Sequence, residues 1–211
     1  MSKNDKSEKA NKNTAFEELF LQGSSDSPMF TALWFSKDGD MAMHFFGYQN
    51  ATKILLNWFL EGNDDNGTVY PLIFLIRHTV ELGLKESIRS AVRLGSKSIS
   101  LSKEELKRVW RTHDLQFLSE RCGKLLEEYK ISEYGSWIET RQFLQNWQDA
   151  DPNATFGKYP VSTEGIPYDV KGNVYAGRIV IMGMKAIETF SNLLSKLEEN
   201  LEIKSEMYSD M

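Results

Sequence analysis

Three short stretches carry side chains that could do chemistry. "FLIRHTVELGLKESIR", residues 74–89, sets Arg77, Glu81 and Lys85 four apart. On a helix that spacing puts them on one face as a ladder of alternating sign, with His78 one residue round. Two arrangements satisfy the pattern. The charges form a solvated ladder on a core helix, or they form a polar strip facing a groove between helices. The second stretch, "RVWRTHDL", crowds Arg108, Arg111, His113 and Asp114 into residues 108–115. A helix should open at this point. A permanent cation is disfavoured at a helix N-terminus, so a neutral or proton-exchanging imidazole suits His113 better. The plainer role for His113 is a hydrogen bond to a neighbouring loop or helix. The third stretch, "FGKYPVSTEG", puts Lys158 and Tyr159 before a proline in a loop. That loop either reaches over a groove or is ordinary surface.

Common catalytic and cofactor motifs are missing. The chain contains no Walker A, GxGxxG, CxxC, HExxH or GxSxG pattern. With one cysteine and three histidines, a structural zinc site built from Cys and His is not expected. No metal or cofactor is expected on these grounds.

The elements that must position these residues read as helices. Phe45, Tyr48, Thr52, Leu55 and Phe59 recur at helical spacing and predict a helix over 40–60, ended by Gly62. Pro71 suits a first helical position and Gly95 a stop, so a second helix spans 71–94. Ser102 and Glu105 form a capping-box pattern for a short helix over 103–110. Thr112 as N-cap, with Asp114 in the first turn, opens the next, whose apolar stripe is Leu115, Leu118, Cys122, Leu125 and Leu126. Ser136 and Glu139 suggest a second capping box and a helix to about Asp149. Residues 150–172 carry three prolines and three glycines, and predict a long irregular loop with room for a strand-like hairpin. Ile179, Met182, Ala186, Phe190, Leu193, Leu197 and Leu201 trace the buried face of a last helix over 173–201.

The expected fold is therefore all-α: an up-down bundle of four long helices plus one or two short ones, with the long loop before the last helix. Residues 1–30 read as disordered or ordered by a partner, with a short helix possible over 14–23. The bundle covers 31–203, and 204–211 read as a flexible tail. A net charge of −5 argues against a broadly basic surface that coats nucleic acid, but leaves room for a local basic patch. Arg77, Lys85, Arg89, Arg93, Lys107, Arg108 and Arg111 are concentrated enough to supply one. A single cysteine, no apolar leader and no long apolar run point to a cytoplasmic chain without a membrane span.

"YPLIFLIRHTVELGLKESI", then "THDLQFL", then "GKYPVSTEG" before a long final helix together resemble the HEPN superfamily. The resemblance spans about residues 40–200. It implies an all-α bundle that often dimerises. Many such proteins are metal-independent endoribonucleases of toxin–antitoxin and antiphage systems, and others bind nucleotides or a protein partner without catalysis. The nucleases carry an arginine, four to six residues, then a histidine, usually in a late helix. The last helix here has Arg178 but no histidine, and the in-range match is Arg108 with His113. The expected role is thus a HEPN-like module that binds a protein partner, a nucleotide or RNA in a toxin–antitoxin, antiphage or nucleotide-signalling setting. Its binding residues would be Arg77, His78, Glu81, Lys85, Arg111, Asp114, Lys158 and Tyr159. The alternatives are a metal-independent endoribonuclease with Arg108 and His113 as catalytic residues, and a structural oligomerisation protein. In the nuclease, His113 would take the 2′-OH proton and Arg108 or Arg111 would stabilise the charged phosphorane. Homodimerisation would bring two such sets together.

Overall fold

The computed structural model describes residues 41–62, 67–96, 99, 101–130, 134–159, 164–167 and 176–209. The chain divides into two units, Met1–Gly39 and Asp40–Met211, and every described residue lies in the second. The short helix expected over 14–23 lies outside the described residues.

Six helices form among the described residues: α1 (Met41–Leu60), α2 (Val69–Leu94), α3 (Lys103–Arg111), α4 (Leu115–Glu128), α5 (Tyr134–Ala150) and α6 (Gly177–Ser209). They pack as an all-α bundle around α2. This central helix touches α1, α3, α4 and α6, while α5 packs on α4 and α6. Leu72, Ile76, Val80, Leu84, Ile88 and Ala91 of α2 are fully buried, against Phe45 of α1, Leu118 and Leu125 of α4, and Ile187, Phe190 and Leu194 of α6. Each such leucine, isoleucine or valine contributes roughly 1.5–3 kcal/mol by leaving water. Close approach of α6 to α2 depends on two glycines. A Cβ on Gly183 would strike the Ile76 side chain, and one on Gly83 would lie 2.9 Å from Phe190 Cβ.

The helix ends follow local chemistry, with three departures from expectation. Gly95 takes the left-handed conformation (φ 74°) and closes α2, and Ser102 with Glu105 forms the capping box of α3. The N-cap of α4, however, is Asp114 rather than Thr112. The Asp114 carboxylate accepts from Phe117 N at 2.9 Å, while Thr112 ends α3 and its hydroxyl accepts from Asp114 N. A carboxylate favours the positive helix end, so the aspartate wins the position. Helix α5 already begins at Tyr134, so Ser136 lies within the helix rather than at its N-cap, and Glu139 pairs with Lys185 of α6 at 3.3 Å. Helix α6 runs past Leu201 to Ser209, so the expected tail is helical through most of its length. Lys204 there donates to Leu94 O at 3.0 Å, satisfying an end carbonyl of α2.

Between α5 and α6, residues 151–159 and 164–167 contain neither helix nor named strand, and an isolated bridge joins Phe156 and Tyr159. Gly157 (φ 86°) presses this loop onto the start of α2, where a Cβ would sit 2.7 Å from Tyr70 O. Among the described residues no helix is long and apolar enough to cross a membrane.

Candidate functional site

The charges of α2 are not a solvated ladder. Arg77, Glu81 and Lys85 are 2, 3 and 4 % exposed. A helix covered by α1, α4 and α6 has little wet face, so its charges must find partners inside. Glu81 and Lys85 pair at 2.7 Å, and Lys85 also donates to Trp110 O of α3 at 3.2 Å. Arg77 turns the other way. Its Nε lies 3.5 Å from the Asp151 carboxylate, and its Nη2 donates to Asp151 O at 3.1 Å and His113 O at 3.3 Å. The same Nη2 lies 3.5 Å from Gln148 Oε1, which accepts from Leu115 N at 2.8 Å. One guanidinium thus ties α2 to the α3–α4 junction, the end of α5 and the loop after it.

The loop is held at its root as well. Asp151 accepts from Thr155 N at 2.9 Å and Phe156 N at 3.2 Å. This Asx-type turn sets the path that brings Lys158 Nζ to 4.8 Å from the Phe74 ring centroid. Phe74 in turn stacks on His78 (5.7 Å, 15°), and His78 also meets the Tyr48 ring edge-on at 4.4 Å. Tyr159, beside Lys158, is 61 % exposed.

His113 joins this cluster through Glu81. Its Nδ1 lies 3.0 Å from both Glu81 oxygens. The imidazole is 56 % exposed and the carboxylate 4 %. Burial alone would push the Glu81 carboxyl up; the hydrogen bond and charge of Lys85, joined by those of His113, outweigh it and hold the group below its ordinary range. An ionised carboxylate only accepts, so Nδ1 carries the proton and Nε2 is the free ring atom. His78 is different. Burial holds its imidazole below the ordinary value, against the pull of Glu81, with Lys158, Lys85 and His113 lowering it further. Burial likewise lowers Arg77, against Asp151 and Glu81.

The structure therefore gathers Arg77, His78, Glu81, Lys85, His113 and Lys158 into one neighbourhood. Asp114 is engaged in capping α4. Arg108 and His113 are not joined by any hydrogen bond among the described residues. The Arg108 guanidinium lies on the Phe117 ring, 4.1 Å from its centroid. Arg108 and Arg111 share one face of α3, are both exposed, and make no ion pair among the described residues. Together with Glu104, Lys107 and Thr112 they line a depression of about 380 Å³. Asp151, Gln148 and Phe117 are parts of this arrangement that the sequence does not single out. Asp151 has one signal, the Asp-Pro turn pair. Gln148 and Phe117 have none, because their roles depend on contacts with other helices.

Among the described residues no three His, Cys, Asp or Glu side chains are grouped to hold a metal ion. No protein-family model, curated protein or solved structure matches the chain.

Proposed function

We propose that this chain is a HEPN-like helical module whose His113 face binds RNA or a nucleotide, in a toxin–antitoxin, antiphage or nucleotide-signalling setting. One observation carries the reading. An exposed imidazole is anchored through Nδ1 to a buried acid, just beyond two exposed arginines that make no ion pair among the described residues, in a protein of net charge −5. Such arginines on an otherwise acidic chain are a local attraction for phosphate.

A second reading is a metal-independent endoribonuclease, and the Glu81–His113 contact favours it. With Nδ1 committed to Glu81, Nε2 is free to take the 2′-OH proton. The 2′-oxygen would then attack phosphorus, the 5′-oxygen would leave with a proton from water, and a 2′,3′-cyclic phosphate would result. Arg108 or Arg111 would stabilise the charged phosphorane.

Both readings are tested with fluorescein-labelled oligoribonucleotide and with total RNA, in EDTA. Anisotropy should report binding that weakens in Arg111→Ala and with rising salt. The absence of binding at low salt rules out the first reading. Cleavage that disappears in His113→Ala establishes the second, and intact RNA after prolonged incubation removes it.

A further inference from the structure

We infer that Arg108, packed over the Phe117 ring, is a stacking platform for a nucleobase, so the ligand of this face is a single strand with unpaired bases. The inference rests on the reading of the His113 face as polynucleotide-binding and specifies which part of the ligand is recognised.

Phe117 is held between two guanidinium groups. Arg108 Cζ lies 4.1 Å and Arg121 Cζ 3.7 Å from its ring centroid. Two groups that close to one centroid fit only on opposite faces. They have different fates. Arg121 donates to Phe117 O at 3.2 Å and reaches Glu105 at 4.0 Å, so it is satisfied within the protein. Arg108 is exposed and its guanidinium makes no hydrogen bond or ion pair among the described residues, although Glu104 lines the same depression. Glu104 is already paired, with Lys107 at 2.8 Å. Arg108 thus packs over the ring and, with Lys107 and Arg111, lines the depression.

A guanidinium packed over an aromatic ring is a different recognition element from a free one. A mobile arginine seeks phosphate oxygens with its N–H edge. One pinned on an aromatic ring presents a planar, delocalised cation to a second planar group. Unpaired bases offer such a face, and bases inside a duplex do not. Arg111, three residues on, is placed to take the neighbouring phosphate. The site would combine one stacked base with adjacent backbone contacts, the usual composition of single-strand binding surfaces.

The test compares oligo-adenylate, oligo-uridylate and an abasic ribose-phosphate strand of equal length, by fluorescence anisotropy at fixed salt. Oligo-adenylate should bind about tenfold more tightly than the abasic strand, with oligo-uridylate between. Arg108→Lys keeps the charge but loses the plane, and should erase that preference while leaving affinity for the abasic strand. Arg111→Lys should keep the preference. Circular dichroism verifies that each variant is folded. Equal binding of all three strands by the unmodified protein overturns the platform and leaves the polynucleotide reading standing. Binding of none overturns both. Equal affinity for an acidic peptide of matched charge, or a base preference that persists in Arg108→Lys, also overturns the platform.

Discussion

His113 Nδ1 lies 3.0 Å from both carboxylate oxygens of Glu81, so a buried acid on α2 fixes the orientation of an imidazole that is more than half exposed. The same carboxylate holds Lys85 at 2.7 Å. Core and candidate site therefore share one group, so their energetics are coupled through Glu81.

Removing one partner of the buried pair strands the other. Glu81→Ala should cost about 3–5 kcal/mol by leaving Lys85 uncompensated. The double variant Glu81→Leu with Lys85→Met should cost less than Glu81→Ala alone, because no charge remains to be desolvated. Urea denaturation measures both, and a double-variant loss as large as that of Glu81→Ala would contradict the coupling.

The tautomer of His113 is predicted by its partner. In its neutral form the ring should carry its proton on Nδ1, read from long-range proton–nitrogen correlation spectra. In Glu81→Leu, Nδ1 loses its acceptor and the ring should move toward the Nε2–H form that solvent favours. An Nε2–H ring in the unmodified protein would remove the contact on which the site depends.

Arg77 joins three elements, so its loss should be felt away from α2. Arg77→Met should cost about 3–5 kcal/mol through the stranded Asp151. The amides of Thr155 and Phe156, which donate to Asp151, should lose hydrogen-exchange protection. Arg77→Lys should not rescue them, since a point cation cannot meet the Asp151 carboxylate with one nitrogen and the Asp151 and His113 carbonyls with another.

Acidification should destabilise the protein in two steps. His78 is held below its ordinary 6.5, so the unfolded chain binds more protons there, and stability falls as pH drops from about 6.5 through the folded value. Glu81 is held below its ordinary 4.5. Its contribution is complete above that pH and is lost on falling through its folded value. Melting temperatures against pH should show His78→Phe flattening the first decline alone and Glu81→Gln the second. A first decline unchanged in His78→Phe would mean that another group titrates there.

Much of the bundle is legible in the sequence because its signals are local. Gly95, the Ser102–Glu105 box and the stripe from Leu115 to Leu126 each act within a few residues of where they stand. The Arg77–Glu81–Lys85 ladder is legible as a pattern but not as an environment. Whether such a stripe is wet depends on how many helices cover it, and α2 is covered by α1, α4 and α6. The pairing of Glu81 with His113 spans 32 residues and that of Arg77 with Asp151 spans 74. Helical spacing cannot encode either. Thr112 and Ser136 have the chemistry of caps but do not serve as caps of α4 and α5, because Asp114 outcompetes the first and an earlier helix start absorbs the second.

If the His113 face is where this protein meets an unpaired polynucleotide, a titration of nitrogen-15-labelled protein with oligo-adenylate should show it residue by residue. Amide shifts are expected to concentrate at residues 107–114 and 155–159, together with the His113 side chain, and to diminish in Arg111→Ala. Shifts confined to the groove formed by Gln49, Lys53, Met184 and Glu188 between α1 and α6, or no shifts at millimolar ligand, would contradict it.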